Sequence, residues 1–79
     1  MANSMHNVVI GKRQILREIK KGRIAEIQIA RDAEAQYIAS LIDVAKEHAV
    51  PYTIGQTMNE IAAQHGIEVP SGAVGVLKE

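Results

Sequence analysis

The chain has 79 residues, nine basic and nine acidic side chains, three histidines and no cysteine. That length bounds it to one small domain, the missing thiols exclude disulfide staples and thiolate metal sites, and a hydrophobic content of 47% excludes wholesale disorder. The neutral net charge hides a polarised molecule: the stretch from Gly11 to Arg23 holds six of the nine cations against the single carboxylate Glu18, while the rest of the chain holds three cations and eight carboxylates.

Met1 to His6 reads as a loose end that lacks the basic start and long apolar stretch of a signal peptide. Asn7–Ile10 is an apolar run closed by Gly11, the pattern of a short buried strand. From Lys12 to Lys21 the apolar positions Ile15, Leu16 and Ile19 follow helical spacing, and Gly22 ends the helix with Lys20 and Lys21 in its last turn, where cations suit the dipole. Ile24 to Ala30 alternates around Ile27 and Ile29 and is predicted to be a strand. Asp32 is placed to cap a long amphipathic helix over Ala33–Ala49, with Tyr37, Ile38, Leu41, Ile42 and Ala45 as its apolar stripe and Pro51 beyond its end. Tyr52–Gly55 reads as a short strand. Thr57, with Glu60 three residues on, forms a capping-box signature for a helix over Met58–His65, stopped by Gly66. Ile67 to Gly72 is a loop containing Pro70, and Ala73–Leu77 is the final strand. The order β-α-β-α-β-α-β predicts an α/β fold, a three-layer α/β/α sandwich around a four-stranded sheet. Periodicity leaves the strand order and directions open. No apolar run approaches the roughly 18–20 residues of a membrane span.

The basic helix carries the functional signal. Arg13 and Arg17 lie one turn apart on one face, and Gln14 neighbours Arg17. The helix start therefore offers two guanidinium forks, an amide and free backbone N–H groups, a set suited to phosphates and to base edges. Lys20, Lys21 and Arg23 lie farther along and add phosphate contacts. A charged, solvated surface face is the competing account, but such faces ordinarily mix both signs. The imbalance favours nucleic acid.

Catalysis has no comparable support. His6, His48 and His65 are isolated, without metal-ligand spacing to one another or to a carboxylate. Ser4, Ser40 and Ser71 lack an activating His/Asp pattern, and there is no P-loop or dinucleotide fingerprint. Asp32 and Glu34 read as helix-start residues. No enzymatic activity, cofactor or metal is expected. Val9–Gln14 is superficially similar to the G-x-x-G loop of KH domains, but the second glycine falls on Gln14 and the element order differs. Two lone tyrosines, Tyr37 and Tyr52, argue against a base-stacking platform of the RRM or OB kind.

The loop Gly66-Ile67-Glu68-Val69-Pro70-Ser71-Gly72 has two readings. Ile67 packs back on the preceding helix, as residues after a helix-ending glycine often do, or Val69 and Pro70 form an apolar ledge for an unstacked base. The second requires the loop to sit beside Gly11–Arg17.

Several segments taken together resemble the kink-turn-binding ribosomal protein family, which includes archaeal and eukaryotic ribosomal members, the box C/D snoRNP core protein and a short bacterial YbxF-type branch. The resemblance rests on Gly11-Lys12-Arg13-Gln14 with Arg17 and Lys21-Gly22, on Ile29-Ala30-Arg31-Asp32, on Val50-Pro51-Tyr52, and on Gly66-Ile67-Glu68-Val69-Pro70 with the small-residue strand after it. It spans roughly Asn7 to Leu77, and the short length resembles the bacterial branch most. It implies an α/β/α sandwich with a mixed four-stranded sheet. It also implies a guanine-reading role for Arg13 and Gln14 at tandem sheared G·A pairs, behind Gly11 and Lys12, and backbone contacts from Arg17 and Lys21. Packing of an extruded nucleotide falls to Ile67, Glu68 and Val69, and Asp32 matches a position near the RNA. Lys12 stands where the family usually has Thr, Arg13 where it has Asn or Lys, and Ile15 where Thr is common. Gly55-Gln56-Thr57 lacks the lysines that archaeal members often carry.

The resemblance thus implies a cytoplasmic, monomeric protein whose partner is a kink-turn in rRNA, a riboswitch or another transcript, with the ribosome as a candidate host and no membrane. Two other readings compete. One is a ribosome-associated binder of a different rRNA feature. The other is a small interaction module that dimerises through the aliphatic surface of Tyr37–Val44, which requires exposed apolar side chains there.

Overall fold

A computed structural model describes residues 7–68 and 70–78. The expectation for Met1 to His6 and the role assigned to Val69 fall outside the described residues. Seven elements follow in the expected order: β1 (Val8–Ile10), α1 (Lys12–Lys20), β2 (Ile24–Ile29), α2 (Ala35–Glu47), β3 (Tyr52–Ile54), α3 (Met58–His65) and β4 (Ala73–Leu77).

The sheet order is β1-β4-β2-β3. The last strand enters the middle, antiparallel to β1 (Ile10 opposite Val74) and to β2 (Ile29 opposite Ala73), while β2 and β3 run parallel. The sheet is therefore mixed. The parallel pair is joined through α2, since parallel neighbours need a crossover.

Alternation along β2 separates the two faces. Ile27 and Ile29 join Ile24, Ala73, Ile15 and Ile19 of α1, and Leu41 and Ala45 of α2 in the larger buried cluster. Gln28 points the other way, and its Oε1 accepts a 2.7 Å hydrogen bond from His65 Nε2 on α3. That face holds a smaller cluster of Ala30, Ile61 and Val74, flanked by Val8, Ala33, Met58 and Ile67. With α1 and α2 on one side and α3 on the other, the three layers are those expected. The core is aliphatic, and each buried isoleucine or leucine contributes about 1.5–3 kcal/mol.

The second helix departs from expectation. Asp32 does not cap it. The N-cap is Glu34, without a side-chain hydrogen bond, and the helix starts at Ala35 rather than Ala33. The backbone is committed elsewhere: Ala33 N–H donates to Ala30 O (3.2 Å) and Arg31 N–H to Gln56 O (2.8 Å). The Asp32 carboxylate instead accepts from Met58 N–H at 2.9 Å, far along the chain, and supplements the Thr57–Glu60 capping box of α3. At its other end α2 stops at Glu47, because Ala49 adopts φ +56° and Val50 N–H folds back to Ala45 O at 2.8 Å.

Both departures can be checked by chemical denaturation. Asp32→Ala removes an acceptor at the start of α3 and is expected to lower unfolding free energy by about 0.5–2 kcal/mol. Asp32→Asn retains an acceptor oxygen and should cost less. Ala49→Gly relieves a left-handed conformation that costs an L-residue about 1–2 kcal/mol, offset by about 0.4–1 kcal/mol of added unfolded-chain entropy. The expected result is a raised denaturation midpoint.

Candidate nucleic-acid interface

The basic helix begins at a bend that only its first residue makes easy. Gly11 is the N-cap of α1 at φ +91°, ψ 156°, a region that disfavours side chains bearing a Cβ. Its N–H donates to Ala73 O at 3.0 Å and its carbonyl accepts from Ile15 N–H at 3.1 Å. Glycine supplies no side-chain acceptor, and α1 has no acidic residue in its first turn. The positive end of the helix dipole is thus reinforced by Lys12 and Arg13 rather than offset. At α3, by contrast, Thr57, Glu60 and Asp32 all accept N–H groups.

Ile15 and Ile19 are fully buried under the sheet, which fixes the rotation of α1. The outward side chains of Lys12, Arg13, Arg17, Lys20 and Lys21 line one open groove with Leu16 as its apolar floor. Arg13, Arg17, Lys20 and Lys21 are exposed and Lys12 is half-buried. Gln14 is exposed beside the groove without lining it. Arg23 is directed away: its Nε lies 3.4 Å from Glu18 Oε1, the one carboxylate of the basic stretch.

The loop before β4 returns to this helix start. Ala73 O receives the Gly11 N–H and also the Ser71 hydroxyl (3.2 Å), and Gly72 O receives Ala30 N–H at 2.8 Å. Three segments distant in sequence, Gly11, Ala30–Asp32 and Ser71–Ala73, therefore meet at one end of the sheet. Within the loop, Ile67 is half-buried against the α3-side cluster, the packing reading, while Glu68 and Pro70 are exposed. At Gly72 the loop borders an open pocket lined also by Asp32, Ala33, Glu34, Tyr37 and Met58.

Sequence reasoning does not find Leu16, Glu34, Tyr37, Met58 or Gly72 as parts of this region. Tyr37 reads as one more member of an amphipathic stripe, and the pocket forms only through the sheet order. Among the described residues no group of three or more His, Asp or Glu converges as a metal site. The apolar side chains of α2 do not form a free surface either: Leu41 is buried, and Tyr37, Ile38, Ile42 and Val44 pack against the larger cluster. The exposed large apolar residues among those described are Ile10 and Ile54.

The profile of the Ribosomal protein L7Ae/L30e/S12e/Gadd45 family matches residues 1–79. A protein of Geobacillus thermodenitrificans named as an RNA-binding protein is 34% identical over 71 residues, covering 90% of this chain and 87% of that one. RNA-binding protein YbxF of Geobacillus stearothermophilus is 32% identical with the same coverage. Among solved structures, the Giardia lamblia 15.5kD RNA binding protein superposes with a TM-score of 0.86 at 21% identity, over 96% of this chain and 64% of that one. A Bacillus halodurans protein of unknown function gives 0.87 at 14% identity, over 95% and 77%. These two likenesses are of fold. The family match along the whole length, together with the two Geobacillus relatives, makes the chain a member of the L7Ae/L30e/S12e/Gadd45 family.

Proposed function

We propose that this protein binds RNA, recognises the kink-turn, and stabilises its bent conformation. The observation that carries the reading is the Gly11–Ala73 hydrogen bond, which joins an acid-free cationic helix start to the end of the loop that would receive an extruded nucleotide. The family relatives named as RNA-binding proteins support the RNA partner.

Arg13 and Gln14 read guanine edges at the G·A pairs. Arg17, Lys20 and Lys21 hold phosphates along the groove. Glu68, Val69 and Pro70 border the extruded nucleotide, with Ile67 fixing the loop to the core. Asp32 acts indirectly, by bracing the turn after β2 against α3. The protein acts as a monomer in the cytoplasm, on a kink-turn in rRNA or another transcript.

The mechanism is a shift in population. A protein moves the equilibrium between extended and kinked RNA only by its difference in affinity for the two. Phosphate contacts alone attract both conformers. Reversing a 1:99 equilibrium takes a preference of about 10⁴-fold, so contacts available only in the kinked form must supply it.

Titration of a kink-turn RNA should give much tighter binding than the same RNA with its G·A pairs replaced. Arg13→Ala and Gln14→Ala should each reduce that preference by about 1–3 kcal/mol, the scale of one base contact. Equal affinity of the unaltered protein for both RNAs would leave only generic electrostatic attraction. Arg17→Ala should weaken binding to both RNAs and reduce the slope of log K against log salt by about 0.7–0.9. An unchanged slope would remove Arg17 from the phosphate contacts.

A further inference from the structure

Tyr37 stands where α1, α2 and the segment entering β4 meet. One edge of its ring lies against Gly72 so closely that a Cβ at that position would be 2.7 Å from Cε2 and 3.1 Å from Cζ. The tyrosine ring thus occupies the space that a side chain at position 72 would take, and a Cβ there would require the ring to shift. The Tyr37 carbonyl accepts the Ser40 hydroxyl at 3.0 Å, and the ring packs on the larger core cluster. The ring itself is held between Gly72 and the core cluster. Over it sits the Lys12 ammonium, 5.9 Å from the centroid, within the range of a cation–π contact.

Lys12 is the first residue of α1 and lines two depressions. One is the cationic groove, and the other lies between α1 and α2, where Glu34 and Asp43 are also found. A lysine ammonium on a flexible four-carbon stem at such a boundary has two fates. Turned toward the carboxylates, it is neutralised. Held over the tyrosine, it stays an unpaired cation at the boundary of the two depressions, and no ion pair joins Lys12 to Glu34 or Asp43 among the described residues.

We infer that Tyr37 is a positioning residue: its ring competes with Glu34 and Asp43 for the Lys12 ammonium and keeps it unpaired for a contact with an RNA phosphodiester at the α1–α2 junction. The inference rests on the RNA-binding reading, but it does not require the kink. An aromatic ring is needed and a hydroxyl is not. A branched aliphatic residue fills part of the volume but supplies no π face.

The test is a double-mutant cycle on the salt dependence of RNA binding, with Lys12→Gln, Tyr37→Leu, their combination and Tyr37→Phe. Thermal unfolding establishes that each variant is folded. Lys12→Gln should weaken binding by about two- to fivefold and lower the salt slope by about 0.7–0.9. Tyr37→Leu should reproduce both changes, the double variant should be no worse than Lys12→Gln, and Tyr37→Phe should match the unaltered protein. A Tyr37→Leu variant with unchanged slope, or losses that add in the double variant, would overturn the assignment. So would equal losses in the Phe and Leu variants. The cycle is run on both the kink-turn RNA and its G·A-substituted form. Coupling that persists on both without any preference between them sinks the kink-turn reading alone. Absence of binding to either RNA sinks both.

Discussion

The start of β4 is the constraint on which the candidate interface depends. At Gly72 and Ala73 the chain accepts backbone hydrogen bonds from both sides, from Ala30 at the end of β2 and from Gly11 at the start of α1. Those two bonds bring together a basic helix, an acidic turn and a loop that lie far apart in the sequence. The central position of β4 makes the arrangement rigid, because a middle strand is paired along both edges. Gly72 allows the remaining contact, the close approach of the Tyr37 ring. A flexible loop carrying the same residues would have to be ordered on binding, at a cost in conformational entropy.

Electrostatics then separates the two ends of the chain's charge. The first helix departs from the usual preference for carboxylates in the opening turn, and its dipole and its cations point the same way. That costs the isolated protein some stability and raises the local potential where an anion approaches. Glu18 does not cancel it, since its partner is Arg23, beyond the end of the helix and outside the groove. The carboxylates Glu34 and Asp43 lie across α2 instead. The boundary between the two regions runs past Lys12 and Tyr37, so a small shift of one side chain there changes the number of cations that face an RNA.

Local chemistry was the part of this structure most readable in the sequence. Of the α1 stripe of Ile15, Leu16 and Ile19 the two isoleucines are buried, while Leu16, expected inward, is half-buried and lines the groove. The two isoleucines, the Thr57–Glu60 capping box and the glycine stops at Gly22 and Gly66 each follow from residues within one or two turns of one another. They are found where the spacing places them. What was not readable depends on the sheet order. Asp32 has the appearance of a cap for the helix that follows it, yet the N–H it accepts belongs to Met58. Tyr37 has the periodicity of a core residue and does pack on the core, but its edge and face also meet Gly72 and Lys12. Ile67 packs back against Ala30, Ile61 and Val74, neighbours that the loop's own pattern does not name. In each case the deciding neighbour lies far along the chain or belongs to another layer.

The central claim is that the protein favours a bent RNA over an extended one, which binding strength alone does not establish. Fluorescence energy transfer between the two ends of a doubly labelled kink-turn RNA reports the bend directly, under conditions where the free RNA is mostly extended. Added protein should raise the transfer efficiency along the same curve that describes binding, and should leave it unchanged for an RNA whose G·A pairs are replaced. Saturating binding to the intact kink-turn with no change in transfer efficiency would contradict the account.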